Sequence, residues 1–335
     1  MPQEIAKHHP LSYLSSASLI RLAGLGLLVF LMIRLDLEQV YEVLRAADLP
    51  LVILSISGII PLILVKTVRW QGIMRSQAIQ LATWPALLAY FGSLFIGFLT
   101  PGRLGEFIKA VHVNRDCGVS LGQAFSSVLA DRLFDLYTLF LVGSAALLSM
   151  ALGEGELIVL AGFVLLFTVP LGLFLNDITF TWFQRFGLRF GALGRKLLAP
   201  KGILPEVRAG MRQLTWRSLL VAVVLTLLAY GIFFGQCYLL ARALGLSAEL
   251  VPVTFAVALG SLVTLIPVSI SGLGTREAAM IAYLNSVGVQ AEAALSFSLL
   301  VFVTFYIAGG LIGAVAWWIK PVPINDSSRQ MGDAL

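Results

Sequence analysis

Charged side chains are scarce in this sequence, and so are the residues that build most metal and disulfide sites. Asp, Glu, Lys and Arg make up 12% of the 335 residues, about half the share found in soluble domains. The two cysteines, Cys117 and Cys237, form no CxxC pair and no disulfide framework. The three histidines are too scattered to have metal-ligand spacing, standing at His8, His9 and His112.

Further absences narrow the range of functions. No GxxxxGK[ST] phosphate loop occurs, so we expect no nucleotide hydrolysis by that device. The longest polar connection, residues 176–217, is too short for a catalytic domain, and the polar stretch after Ile319 is too short to fold alone. We therefore expect a chain that is not an enzyme, with no cofactor, no metal, no catalytic residues and no nucleic-acid partner.

What the sequence does contain is long apolar runs. Apolar residues account for 59% of the chain, the mean hydropathy is +0.92, and about 20 helical residues cross a bilayer core. No run alternates as the strands of a β-barrel do. We predict an all-α polytopic membrane protein whose first run is a retained span rather than a cleaved signal peptide. The runs are Ala17–Leu35, Leu49–Val65, Ala86–Leu99, Val119–Met150, Leu157–Leu175, Ser218–Leu244, Val251–Ile270 and Ala291–Ile319.

The charges between these runs predict their orientation, because Lys and Arg favour cytoplasmic loops. The N-terminus, residues 66–75 and the basic, amphipathic connection 176–217 would be cytoplasmic. Eight plain spans would place the acidic turn 153–156 inside and the basic stretch 103–115 outside, against this rule. If Ala86–Leu99 and Val251–Ile270 instead turn back within the bilayer, every loop agrees. We predict six transmembrane helices plus two re-entrant segments in the cell (inner) membrane, with both termini cytoplasmic; eight spans remain the alternative.

An internal repeat supports the re-entrant arrangement. Gly92-Ser93-Leu94 recurs as Gly260-Ser261-Leu262, and a constant offset of 170 then relates Gly118 to Gly288 and Ser126 to Ser296. We predict a single membrane domain with a first repeat at about 17–150 and a second at about 157–319. Three spans separate the two copies, so they face opposite ways. Inverted-topology repeats are typical of transporters, whose sites lie where broken helices meet near the bilayer midplane.

Several charged residues fall inside the predicted membrane segments, where each costs at least ~2.5 kcal/mol unless it finds partners or water. They are the candidate substrate-binding residues Arg103, Glu106, Asp131, Arg132, Asp135, Arg276 and Glu277. They either neutralise one another and fix helix packing, or line a cavity for a charged headgroup, for which the arginine fork suits phosphate. The residues expected to permit the re-entrant turns are Pro101, Gly102, Gly105, Gly272 and Gly274.

Two further patterns concern packing and the membrane surface. Lys66 and Arg69 follow an apolar run and are expected to snorkel to the interface, or to guide headgroups inward. Gly309, Gly310 and Gly313 form a small-residue face, which suits close helix contact within one chain or in a homodimer.

Three ordered motifs resemble the signatures of the lysylphosphatidylglycerol synthase transmembrane-region family, also called the UPF0104 group. The family motifs look like PGRxGE, ERxxDL and GGLGxRE. Here Asp131 stands where the family often has Glu, and Ser271 where it often has Gly. The motifs read PGRLGE at residues 101–106, DRLFDL at 131–136 and SGLGTRE at 271–277.

The resemblance implies lipid translocation without the soluble synthase domain that makes an aminoacylated lipid. We therefore expect a flippase-like translocase for a phospholipid, glycolipid or polyprenyl-linked lipid, moving it downhill or with an ion. The expected partners are membrane lipids with a charged headgroup and a lipid-synthesising enzyme. Two alternatives remain open: an accessory subunit of a lipid-synthesis complex, and a membrane-embedded transferase on a lipid-linked substrate, with Asp131 or Asp135 as its base.

Overall fold

A computed structural model of the chain describes residues 30, 33–150, 161, 162, 165, 169, 174, 176–187, 202–265 and 272–321. Within these residues the secondary structure is helical and no strand occurs. The prediction of an all-α membrane protein is confirmed. Most of the predicted spans Ala17–Leu35 and Leu157–Leu175 lies outside the described residues, as do residues 266–270 of Val251–Ile270 and Ser271 of the third motif.

Several of the described helices begin at residues suited to capping. Asp36, Asp48, Ser120 and Thr215 each accept a backbone N–H of the first turn that follows, which satisfies donors a helix start leaves free. In chain order the helices are α1 (Leu37–Arg45), α2 (Leu49–Ser57), α3 (Ile59–Ser76), α4 (Thr83–Leu99), a 3₁₀ helix (Pro101–Phe107), α5 (Ile108–Cys117), α6 (Leu121–Ser149), α7 (Asp177–Gly187), α8 (Ile203–Arg212), α9 (Trp216–Ala243), α10 (Leu250–Val263), α11 (Thr275–Ser286), α12 (Ala291–Phe302), a π-helical turn (Val303–Ala308) and α13 (Gly309–Ile319).

Four continuous segments among the described residues are long and apolar enough to cross a membrane. Their mean hydropathies lie between 1.3 and 2.3. Two further apolar helices, Thr83–Leu99 and Leu250–Val263, are shorter than the about 20 residues that usually cross 30 Å. The four long segments are Leu49–Ser76, Leu121–Ser149, Trp216–Ala243 and Ala291–Ile319.

Residues 83–117, which we name hairpin 1, turn back on themselves. The Cys117 thiol at the end of α5 lies 3.3 Å from the carbonyl oxygen of Gln80, just before α4. Asp116 pairs with Lys320, and the rings of His112 and Trp317 lie 6.1 Å apart. The segment therefore returns to the end of the molecule at which it began.

Residues 250–265 and 272–286, which we name hairpin 2, have the same antiparallel course. Gly272 lies against Thr264 near the turn. Further along, the Gly260 backbone meets Met280, and the rings of Phe255 and Tyr283 lie 6.1 Å apart near the base. Earlier residues of α10 contact later residues of α11, so the two arms are antiparallel and form a hairpin.

The bases of the two hairpins lie at opposite ends of α6. Hairpin 1 ends at Cys117, immediately before α6 begins, whereas Tyr283 at the base of hairpin 2 contacts Ser149 at the end of α6. This helix has 29 residues, so the bases are separated by about 43 Å at 1.5 Å per residue. The hairpins therefore enter the helical bundle from opposite faces.

The order span, hairpin, span occurs twice, and the two copies run in opposite directions. The first spans of the copies are antiparallel: the backbone N–H of Asp48 donates to the Ala243 carbonyl at 2.9 Å, and Arg69 donates to Thr226 at 2.9 Å. The last span of each copy packs on the hairpin of the other, since Gly143 faces Leu262 and Gly313 faces Phe91. This exchange ties the copies into one unit.

The glycines of the last span, Gly309, Gly310 and Gly313, pack inside the chain. A Cβ on Gly313 would lie 2.6 Å from the Phe91 carbonyl oxygen, and one on Gly310 would lie 3.4 Å from the Phe98 ring. Close approach of α13 and α4 within one chain therefore uses this small-residue face.

Candidate functional site

The tips of the two hairpins meet at one cavity of about 320 Å³. Hairpin 1 contributes Arg103 and Glu106, hairpin 2 contributes Thr264 and Arg276, and the spans close the sides. Because the hairpins enter from opposite faces, their tips lie near the middle of the bundle. The other charged lining residues are Lys66, Arg132 and Asp135.

The tip of hairpin 1 depends on two residues with left-handed backbone. Gly102 has φ 61° and Arg103 has φ 57°, a region that non-glycine residues seldom adopt. The Thr100 hydroxyl accepts the Gly105 N–H at 2.7 Å and closes the turn. Gly105 itself lies so close to α4 that a Cβ would stand 2.5 Å from the Ile96 carbonyl oxygen. This geometry turns Arg103 into the cavity, and strain at a charged site is typical of functional positions.

Asp131 is the centre of a buried ion network behind the cavity. Its carboxylate lies 2.8 Å from Arg69 and 3.0 Å from Lys109, and it accepts a hydrogen bond from the Tyr90 hydroxyl at 3.1 Å. Asp131 and Lys109 are fully buried. The Lys109 ammonium also lies 3.8 Å from the centre of the Tyr90 ring. One carboxylate thus pairs with two cations and holds α3, hairpin 1 and α6 together.

Asp135 and Glu106 carry the network to the cavity wall. Asp135 lies 3.0 Å from Lys66 and 2.9 Å from Arg69. Glu106 pairs closely with Arg132 and lies 4.0 Å from Arg103. The spacing within α6 predicts an Arg132–Asp135 pair, but that distance is 4.0 Å, so Glu106 of the hairpin is the principal partner of Arg132.

In hairpin 2 the cation lines the cavity, whereas the carboxylate lies behind the cavity wall. Glu277 is fully buried, pairs with Arg276, and accepts the backbone N–H of Gly274 at 2.6 Å. Gly272 and Gly274 have φ 75° and 81°, which glycine adopts without steric cost. Arg276 lines the cavity and Glu277 lies behind it. Glu277 therefore fills the start of α11 that a headgroup would otherwise reach.

Tyr306 stands between the two arginines of the hairpin tips. Its ring centre lies 4.8 Å from the Arg103 guanidinium carbon and 4.9 Å from that of Arg276. It belongs to the π-helical turn Val303–Ala308, and such turns occur mostly at functional sites. The wider turn places Tyr306 and Phe305 on the cavity wall.

The structure brings most of the predicted site residues together. Arg103, Glu106, Arg132, Asp135 and Arg276 line one cavity. Asp131 and Glu277 lie behind it as buried counter-ions, and the pivots Gly102, Gly105, Gly272 and Gly274 form or pack the two tips. Pro101 begins the 3₁₀ helix of hairpin 1.

Four polar residues of the site are missed or misread from the sequence. The snorkelling interpretation of Lys66 and Arg69 is wrong: α3 continues to Ser76, and Arg69 is 1% exposed. Their three-residue spacing, which puts both cations on one helix face opposite the Asp131/Asp135 pair, is the signal that could have shown this. Lys109 and Tyr306 had no such local signal, because their partners lie on other helices.

The pseudo-symmetry of the helices does not extend to the charges. At the offset of 170 residues, Asp131, Arg132 and Asp135 of α6 correspond to Val301, Phe302 and Phe305. The first half therefore supplies an ionic wall to the cavity, and the second half supplies an aromatic wall with one arginine.

These features define a polytopic membrane protein in which two re-entrant hairpins enclose a charged cavity between inverted halves. The chain belongs to the family described as Lysylphosphatidylglycerol synthase TM region, whose model matches residues 17–313. The resemblance seen in the three motifs is thereby confirmed, and all three lie within the matched range.

Similar proteins are found among archaeal membrane proteins. A UPF0104 membrane protein of Methanothermobacter thermautotrophicus is 24% identical over 281 residues, covering 76% of this chain and 79% of the relative. Another UPF0104 membrane protein, from Methanocaldococcus jannaschii, is 25% identical over 227 residues, covering 68% of this chain and 94% of the relative. No solved structure matches the chain.

Proposed function

We propose that this protein is a lipid translocase that passes an anionic headgroup through the cavity between its inverted halves. The observation that carries the proposal is the meeting of two hairpin tips, inserted from opposite faces, at a cavity lined by Arg103 and Arg276. Inverted repeats with a midplane site allow alternating access by rocking one half against the other. The family's link to lipid chemistry supports a lipid as the substrate.

Within this proposal the charged side chains have separate roles. Arg103 and Arg276 hold the headgroup, and Arg132 and Lys66 extend the positive wall. Glu106 and Asp135 keep these cations oriented, while Asp131 and Glu277 act behind the cavity. Lipid moves down its gradient, or together with an ion bound at a carboxylate. The face bearing Arg75, Arg115 and Arg217 is cytoplasmic, in agreement with the positive-inside rule.

Translocation in proteoliposomes tests the proposal. Labelled lipids with anionic, cationic, zwitterionic and polyprenyl-phosphate headgroups are compared, and a membrane-impermeant quencher reports which leaflet they occupy. We expect protein-dependent movement of anionic lipids, lost in Arg103→Ala. The control variant Arg75→Ala, altered at an exposed position outside the cavity, should keep full activity.

Failure of folded protein to move any lipid class would contradict translocation. It would favour the accessory-subunit alternative, to be pursued by co-purification with a lipid-synthesising enzyme. Formation of a new lipid product during the assay would instead favour a transferase.

A further inference from the structure

The formal charges on the cavity wall do not balance. Among the lining residues that the structure describes, four are cationic and two are acidic, which leaves two positive charges. The cations are Lys66, Arg103, Arg132 and Arg276, and the acids are Glu106 and Asp135.

The charged residues immediately behind the wall do not compensate this excess. Two cations, Arg69 and Lys109, and two carboxylates, Asp131 and Glu277, lie there, so their formal charges sum to zero. Asp131 pairs with both of these cations, and Glu277 pairs with Arg276. A charge held in a low-dielectric interior without a counter-ion is strongly destabilising. An excess of two positive charges at this depth therefore indicates that an anion with about two negative charges is bound in the working state.

Unpaired donors mark where this anion binds. Arg103 Nε and Arg276 Nε and Nη1 are buried and have no hydrogen-bond partner in the part of the chain described. Both guanidinium groups lie within 5 Å of the Tyr306 ring centre. Buried arginine donors are normally satisfied, so two groups left open on either side of one ring form a bidentate anion site.

The cavity wall around Tyr306 is apolar and aromatic. Phe98, Phe233 and Phe305 line the cavity beside Tyr306, and the Phe98 and Tyr306 rings lie 4.8 Å apart. This wall offers a place for hydrocarbon and few partners for an ammonium or a large polar headgroup.

We propose that the substrate is a lipid phosphate carrying about two negative charges, a phosphate monoester or a diphosphate, rather than a phosphodiester or a cationic lipid. This inference rests on the proposed function. The phosphate bridges Arg103 and Arg276, and the first carbons of the chain lie against the aromatic wall. A phosphate monoester has a second pKa of about 6. Its binding therefore weakens as the pH falls below that value, whereas a phosphodiester shows no such change.

Binding to the full chain in detergent micelles tests this inference without requiring transport. The probes are dioctanoyl phosphatidic acid, dioctanoyl phosphatidylglycerol, dioctanoyl phosphatidylcholine and inorganic phosphate. One further charge-assisted hydrogen bond corresponds to about tenfold or more in affinity. We expect at least that preference for the monoester over the diester at pH 7.5, and its loss at pH 5.

Arg103 allows a matched pair of variants, because its nearest carboxylate lies 4.0 Å away and its side chain is 25% exposed. Arg103→Gln lowers the excess to one charge and should remove the preference for the monoester. Arg103→Lys should retain part of it, and Arg75→Gln should retain all of it. The comparison of probes on the unchanged protein stands even if Arg103→Gln does not fold.

Equal binding of the monoester and the diester would overturn the inference, as would a preference for the zwitterion. Inorganic phosphate bound as tightly as the lipid would overturn the lipid class and favour a soluble anion. Selective monoester binding without movement in proteoliposomes would contradict translocation alone. Movement of only zwitterionic or cationic lipid would support translocation and contradict the charge assignment.

Discussion

Asp131 is the residue on which the ion network depends most. It is fully buried and lies within 3.0 Å of both Arg69 and Lys109. Asp131→Asn leaves these two cations with an amide in place of a carboxylate. Because breaking a buried pair leaves an uncompensated charge, we expect a loss of about 3–5 kcal/mol in the free energy of unfolding. Denaturant unfolding in detergent micelles measures this change.

A surface ion pair provides the control for this measurement. Asp116 pairs with Lys320 at the base of hairpin 1, where both side chains are about one quarter exposed. Exposed pairs contribute about 0–1 kcal/mol, so Asp116→Asn should unfold nearly as the unchanged protein does. Equal losses in the two variants would show that Asp131 is not a central counter-ion.

At the scale of single residues, the sequence predicts which charged residues belong to the site better than it predicts which of them form ion pairs. Intramembrane charges stand out because hydrocarbon tolerates few of them, and the glycine breaks identify both hairpin tips. Partners such as Glu106 for Arg132 join different helices, and the spacing within one helix cannot show them. The apolar run ends before Lys66 and Arg69, and this pattern predicts a position at the membrane interface. The helix in fact continues to Ser76, and both cations pair with carboxylates of α6.

At the scale of elements, the close contact between the tip of hairpin 1 and α4 depends on Gly105. A Cβ there would stand 2.5 Å from a backbone oxygen of α4, which cannot move without opening the hairpin. We expect Gly105→Ala to destabilise the protein by about 1–3 kcal/mol and to reduce lipid movement. Thermal unfolding and the proteoliposome assay measure the two effects.

Gly72 in α3 is the matched control, since a Cβ there meets nothing within 4 Å. Replacing a helical glycine by alanine stabilises by up to about 1 kcal/mol. Gly72→Ala should therefore unfold at the same or a slightly higher temperature. A similar result for Gly105→Ala would mean that the tip is not closely packed.

Helix α7 is held to α8 by one carboxylate, which gives this contact a defined pH range. Hydrogen bonds from Arg208 and Arg212 lower the pKa of Asp177 below its ordinary value. A lowered pKa means that the contact is fully present above about pH 4 and is lost only as the pH falls through the folded-state value. We expect the position of α7 to be unchanged between pH 8 and pH 5.

A nitroxide label at position 181 of α7 measures this prediction by electron paramagnetic resonance, in protein whose Cys117 is replaced by serine. The label's mobility should be constant from pH 8 to pH 5 and higher throughout that range in Asp177→Asn. A rise in mobility between pH 7 and pH 5 in protein that keeps Asp177 would contradict the assignment.

At the scale of the whole molecule, the predicted order of spans and hairpins agrees with the described helices. The sequence shows the repeat because glycine and serine recur in the same order in both halves where helices approach closely, as at Gly92 and Gly260. The charged wall of the cavity could not be placed from the repeat, because the two halves share their backbone plan but not their polar residues. Aromatic residues such as Phe305 replace Asp135 in the second half, and only the assembled cavity shows that one wall is ionic.

The re-entrant course itself has a direct test, because it fixes which residues share a face of the membrane. Arg75 ends α3 and Arg115 lies near the end of α5, so both are expected on one face; Glu249 and Asn285 flank hairpin 2 and are expected on the other. All four are exposed. Single cysteines at these positions, in protein whose Cys117 is serine, are labelled with an impermeant maleimide in vesicles of known orientation.

Cys237 is fully buried and should stay unlabelled in this background. Residues 75 and 115 should react in the same vesicle orientation, and residues 249 and 285 only in the opposite one. If Ala86–Leu99 crossed the membrane, residue 115 would react from the face opposite to residue 75, as the eight-span alternative requires. The contact between Cys117 and Gln80 brings the two ends of hairpin 1 together, and we therefore expect residues 75 and 115 to react from one face.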